Sequence, residues 1–176
     1  MYFTIKVIFL VSVYANLLRT TTTNHQEMIE SPGDSATVVT FAFTPEGRGG
    51  TDWGRAKLYV GTLRATGYRG HIILGVDPCI PNEAKQYMEA SGVLLKAVNQ
   101  TACTFRDDYG GMQDVYQRKK CSTDYPRQTL EIARFSLAAD WVMACTSCVG
   151  PVLVTDGKDV YFQGNPFDSR FRERNL

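Results

Sequence analysis

His71-Ile-Ile-Leu-Gly-Val76, then Asp77-Pro78 and Pro81-Asn82, then Glu83-Ala-Lys-Gln-Tyr-Met-Glu-Ala90, then Gly92-Val-Leu-Leu-Lys-Ala-Val98: this stretch spells strand, turn, helix, strand. The first run is apolar without alternation, as a strand buried on both faces must be. Pro and Asn then break it and open a helix. Working toward the amino terminus, Thr-Val-Val-Thr-Phe-Ala-Phe after Ala36 is β-branched and aromatic and suits a first buried strand. Thr51 or Asp52 caps a helix expected over 53–66, with Leu58 and Leu63 on one face and Gly67 as its stop. Strand, helix, strand, helix, strand with short joins forces right-handed parallel crossovers. The expected class is α/β: a Rossmann-like, three-layer α/β/α domain with a mostly parallel sheet.

Toward the carboxyl terminus the rhythm breaks. Residues 101–127 are charged and carry Gly and Tyr over about twice the length of a usual connection. From Gln128 a helical stripe returns at Leu130, Ala133, Leu137 and Trp141, with Arg134 and Asp140 off it. The next apolar run, 152–154, makes a fourth strand.

That strand opens Val152-Leu-Val-Thr-Asp-Gly-Lys-Asp-Val-Tyr-Phe-Gln-Gly-Asn-Pro-Phe167, the segment richest in chemistry. Two readings compete for it. As a strand of a parallel sheet it delivers Asp156 and Asp159 to the carboxyl edge, where open α/β sheets bind ligands. As a hairpin, Asp156-Gly157 is a tight two-residue turn, because Gly supplies positive φ and Asp tolerates it. Residues 44–52, with Pro45, Gly47, Gly49 and Gly50, form a flexible loop at the end of the first strand but lack the spacing of a phosphate-cradling fingerprint.

Composition narrows the classes further. The chain has 176 residues, 44% hydrophobic and 21% charged, enough for one core. Nineteen Lys and Arg against eighteen Asp and Glu leave a net charge of +1, so no global field draws nucleic acid, and none is expected as a partner. Lys6 followed by Val-Ile-Phe-Leu-Val-Ser-Val-Tyr-Ala-Asn-Leu-Leu is too short to span a bilayer comfortably, which takes roughly 20 apolar residues. It fits a signal peptide or short membrane anchor over 1–18, the alternative being an N-terminal strand. Residues 19–36, rich in Thr, Asn, Ser, Pro and Gly, then form a linker or stem.

Five cysteines accord with the secretory route. Cys103 and Cys121 can close the irregular segment as a disulfide, and Cys145-Thr-Ser-Cys148 forms a Cys-x-x-Cys open to disulfide, redox or zinc roles. Asn99-Gln100-Thr101 is a glycosylation sequon.

Taken in order, Gly61-Thr-Leu-Arg64, Gly67-Tyr-Arg-Gly70 with His71-Ile-Ile-Leu, Arg134-Phe135 with Trp141, and Asp156-Gly-Lys-Asp159-Val-Tyr-Phe-Gln163 with Pro166-Phe167 resemble the GT-A fold glycosyltransferase-like family of nucleotide-diphospho-sugar transferases. The resemblance covers 38–167 and corresponds to the nucleotide-binding half. It implies a truncated GT-A-type domain over 37–176, incomplete at the carboxyl terminus, since such transferases place acceptor and catalytic groups in a further half. The implied activity is transfer of a hexose or pentose from a nucleoside diphosphate sugar to a glycan or protein acceptor. The implied location is the Golgi lumen or membrane, or secretion.

The resemblance also assigns roles. Asp156 and Asp159 would hold Mn2+ or Mg2+; Arg64, Arg134 and Lys158 would pair with phosphate or carboxylate, the alternative being surface salt bridges; Gln163 and Asn165 would meet sugar or acceptor hydroxyls, or satisfy backbone in their turn. Lys158 stands where the family usually has Arg, and the carboxylates are spaced Asp-x-x-Asp where better-characterised relatives have Asp-x-Asp. No general base or nucleophile is named, and His25 and His71 read as solvated or structural. The alternatives are a truncated, non-catalytic lumenal interaction module and a secreted, disulfide-stapled binding domain.

Overall fold

The apolar runs at 37–41 and 71–76 become strands because their residues leave water on both faces at once. The computed structural model describes residues 10–11, 35–43, 50–103, 120–157 and 160–168. In chain order the strands are β1 (Leu10–Val11), β2 (Thr37–Phe41), β3 (His71–Val76), β4 (Val93–Ala97), β5 (Gln100–Ala102), β6 (Lys120–Ser122) and β7 (Val152–Asp156). The helices are α1 (Trp53–Ala65), α2 (Asn82–Ala90) and α3 (Leu130–Met143).

The main sheet has the order β1-β7-β2-β3-β4. Strands β7, β2, β3 and β4 are mutually parallel, and β1 lies antiparallel on β7 at the edge. From β2 the chain steps outward through α1 to β3 and through α2 to β4. It then returns past α3 and inserts β7 on the other side of β2. Right-handed crossovers made in opposite directions must lie on opposite faces, so α1 and α2 cover one face and α3 the other. The α/β class and the mostly parallel sheet flanked by helices are therefore as the sequence predicts.

Side-chain parity divides the core accordingly. Val38, Ile72, Leu74, Val76 and Leu153 pack with Ala56, Tyr59, Val60 and Leu63 of α1 and Met88 of α2. Val39, Phe41 and Ile73 pack with Ala133, Leu137 and Ala138 of α3, and Trp141 lies against them. A fully buried side chain such as Leu63 contributes about 1.5–3 kcal/mol by leaving water. The expected stripe of α3 is correct. That of α1 is corrected: Leu63 is buried but Leu58 is half exposed, because the inward face runs through Ala56, Tyr59, Val60 and Leu63. Asp52 caps α1 by accepting from the Arg55 N–H at 3.1 Å, and Gly67 ends the helical segment at a φ of 84°.

Close approach explains a second glycine. A Cβ on Gly75 would stand 2.4 Å from the Phe41 ring, which stacks on Trp141 with centroids 5.3 Å apart. The aromatic layer between β2, β3 and α3 thus requires that position to be bare.

The segment that broke the rhythm contains the antiparallel pair β5 and β6, tied by Cys103–Cys121. A second disulfide joins Cys145 to Cys148 just beyond α3, and Cys79 is an exposed thiol. The zinc reading of these cysteines is overturned, since the two pairs are separate disulfides. Cys103 to Cys148 are all paired, as the disulfide-stapled reading expects.

Within the expected signal segment, Leu10 and Val11 pair with Leu153 and Val152, the kind of contact a strand makes. The rest of 1–34 lies outside the described residues. Among the described residues, no helix is long and apolar enough to cross a membrane.

Candidate functional site

The reversal of winding direction at β2 leaves a gap that no crossover bridges. In open α/β sheets the carboxyl edge at such a switch point is where ligands bind. Here the two strands meeting there are β2 and β7, in register with Thr40 opposite Thr155 and Phe41 opposite Asp156. The hairpin alternative for Asp156-Gly157 is overturned, because β7 is a parallel neighbour of β2. Gly157 continues that ladder, its N–H donating to the Phe41 carbonyl at 3.1 Å. A Cβ there would lie 2.9 Å from Thr40 Oγ1 and 3.0 Å from the Phe41 carbonyl oxygen, so only glycine leaves β7 so closely against β2.

The neighbouring loops are pinned to the same edge. Phe43 and Thr51 form an antiparallel bridge, and the Asp52 N–H donates to the Ala42 carbonyl at 3.0 Å. Thr51 Oγ1 accepts from the Asp77 N–H at 2.8 Å, tying the start of α1 to the end of β3. Loop residues 44–49 lie outside the described residues.

Opposite side-chain parity gives the two faces of this junction different chemistry. On the α1 face, the Tyr59 hydroxyl bonds the Thr155 hydroxyl. Thr40 Oγ1 lies against the same phenol without meeting hydrogen-bond geometry. Burial pushes the Tyr59 pKa up to about 12, so the phenol stays neutral through the physiological range. The unfolded phenol ionises near 10. Its contribution is thus fully present below pH 10 and is lost as pH rises toward 12. About 2–3 kcal/mol of stability is expected to disappear across that window through Tyr59. Urea unfolding at pH 9 and pH 11 on wild type and Tyr59→Phe checks it; an equal drop in both would show that Tyr59 does not govern the alkaline limb.

On the α3 face, Asp156 pairs with Arg134, its Oδ2 standing 3.6 Å from Nη1, with side chains 30% and 31% exposed. The Arg134 guanidinium also lies 4.9 Å from the Phe135 ring centroid. Its Nε is buried with no acceptor among the described residues. The junction therefore carries a carboxylate and a guanidinium on its α3 face, and hydroxyls on its α1 face.

Of the residues singled out in the sequence, Asp156 and Arg134 are brought together. Lys158 and Asp159 lie outside the described residues. Arg64 is a correction: it sits at the opposite, amino edge of the sheet. There Nε donates to the Ser91 carbonyl at 3.0 Å, Nη1 to Tyr68 and Gly70 at 3.1 and 2.9 Å, and Nη2 to Gly92 at 3.2 Å. Its donors are engaged by the backbone, which leaves it no phosphate role at the junction.

Asn165 takes the backbone role of its two expected ones, its Oδ1 accepting from the Phe167 N–H at 3.0 Å to close its own turn. Gln163 is exposed on the segment 160–168, which runs along α1 away from the junction. Phe162 of that segment meets Tyr59 edge-on, and Phe167 stacks on Tyr68. His71 is structural as expected, its Nε2 lying 3.1 Å from the Ser147 carbonyl oxygen. Sequence reasoning missed Tyr59, Thr40 and Thr155. The signal available was the lone hydroxyls in otherwise apolar strands.

The donor set fits a divalent cation in one manner only. Mg2+, and by extension Mn2+, is often held by one or two carboxylates while substrate phosphates and water complete the octahedron, and Asp156 at a strand end suits that arrangement. Among the described residues, which do not include Asp159, no group of three or more His, Cys, Asp or Glu could hold a metal. Compared with protein-family models, curated proteins and solved structures, the chain matches none.

Proposed function

We propose that this chain is a GT-A-like domain that binds a nucleoside diphosphate sugar in the crevice between β2 and β7, with Mn2+ or Mg2+, for transfer of the sugar to a glycan or protein acceptor. The observation that carries the proposal is the Asp156–Arg134 pair at the topological switch point. A carboxylate and a guanidinium side by side are complementary to a metal diphosphate, which offers both a cation and anionic oxygens.

In this scheme Asp156 holds the ion and Arg134 pairs with a phosphate oxygen. The ion, when bound, neutralises charge developing on the diphosphate leaving group. Tyr59 stays a neutral phenol on the α1 face of the same strand ends and keeps Thr155 oriented, so that face adds no negative charge beside Asp156. The two disulfides support placing the domain in the secretory pathway, where such bonds persist.

Isothermal titration of the full chain with UDP and with GDP, each with and without Mn2+, tests the proposal. One of the two is expected to bind at least about tenfold more tightly with the metal, a difference of about 1.4 kcal/mol. Equal affinity with and without Mn2+ for both nucleotides would sink it. Binding with no transfer to any acceptor would instead favour the non-catalytic lumenal module.

A further inference from the structure

We propose that Asn99 is the attachment point of an N-linked oligosaccharide. This rests on the secretory placement above and is independent of nucleotide binding. Asn99-Gln100-Thr101 is the one Asn-x-Ser/Thr triplet in the sequence; the other asparagines precede Leu-Leu, His-Gln, Glu-Ala, Pro-Phe and the terminal Leu.

The fold presents this triplet where a saccharide fits. Val98, fully buried, makes the last rung beside β3, its N–H donating to the Val76 carbonyl at 2.8 Å. Asn99 then turns the chain from β4 into β5 and is exposed. Its carbonyl accepts from the Thr123 N–H at 3.0 Å, so the backbone is anchored to the β6 side, while its side-chain amide makes no hydrogen bond among the described residues. A buried amide would conflict with a bulky substituent, and this one is exposed.

The surroundings are open as well. β4 is the outermost strand, with no strand on its far side among the described residues, and Leu94 on it is 48% exposed. Unpaired edges are association hazards that proteins commonly blunt, and a hydrophilic saccharide at the end of β4 would do so. The site is two strands from β2, roughly 10 Å by strand spacing, so the substituent sits at the far margin of the sheet from β7.

The chemistry is a group transfer from a lipid-linked oligosaccharide diphosphate in the host membrane. Asn99 Nδ2 forms a bond to C1 of the first sugar and loses one proton. The bond from C1 to the phosphate oxygen breaks, and the lipid diphosphate leaves.

The test is expression of the full chain in a eukaryotic secretory host, with intact mass measured before and after amidase removal of N-glycans. Wild type and Thr101→Ser are expected to carry one oligosaccharide, and Asn99→Gln and Thr101→Ala none. Two variants that block attachment by different atoms keep the result readable should one misfold. Protease protection of microsomes separates the causes of a negative result. A protected chain without the mass shift overturns the site, and an unprotected chain overturns the placement on which it depends. Either outcome leaves the nucleotide titration of the wild type untouched.

Discussion

Asp156→Asn is expected to lower Mn2+-dependent affinity for the preferred nucleoside diphosphate by at least on the order of 100-fold, the upper figure for losing even an indirect partner of a metal. The amide keeps the shape of the carboxylate but removes the charge that a hard cation requires. Stability should hardly move. The pair with Arg134 is about one-third exposed on each side and spans 3.6 Å, and such bridges are worth about 0–1 kcal/mol. Thermal unfolding and nucleotide titration of the same sample check both halves. A large fall in melting temperature with unchanged affinity would make Asp156 a structural anchor and remove it from the site.

Arg64→Ala is expected to do the reverse, destabilising the fold by about 3 kcal/mol while leaving nucleotide affinity in the folded protein unchanged. The guanidinium satisfies the carbonyls of Ser91, Tyr68, Gly70 and Gly92, which belong to the turn before β4 and to the approach to β3. It also lies 5.5 Å from the centroid of the Tyr68 ring. Losing the side chain leaves these carbonyls without their charged donor at a place where α1, β3 and β4 converge. For a protein of this size the change corresponds to a fall in melting temperature of about 6–12 °C. Arg64→Lys, with one compact ammonium in place of a fork, should recover only part of it. A change below about 2 °C in Arg64→Ala would show that water replaces the guanidinium without cost.

The contrast between these two residues shows what was legible in the chain. Both Arg64 and Arg134 stand on helices next to apolar faces, and nothing local distinguishes them. The runs at 37–41 and 71–76 were readable as strands because burial on both faces excludes polar alternation, and those at 93–97 and 152–156 because a short aliphatic run bounded by turn residues suits a strand. Asp52 and Gly67 were readable as the ends of α1 because capping and positive φ are local demands. Leu58 was misjudged because α1 packs on the sheet along a line that its own spacing leaves undetermined.

The site was legible in part. Asp156 was found because a carboxylate after an apolar strand is conspicuous. Tyr59 was not, because its meaning depends on Thr155, a residue that the chain brings near only after two further crossovers and α3. For Asn165 the sequence leaves a ligand contact and a turn closure equally open, as an Asn-Pro pair does, and the Oδ1 bond to the Phe167 N–H selects the turn.

By itself the sequence determined the alternation of strands and helices, the class of sheet, and the aspartate at a strand end, since each follows from burial and backbone preferences acting over a few residues. Only the tertiary structure decided that β7 enters beside β2 on the side opposite β3, and with it which arginine reaches Asp156 and which is held by carbonyls at the other edge. The physical reason is range. Hydrogen bonding and side-chain parity act between neighbours, whereas strand order is set by which distant apolar faces bury one another best.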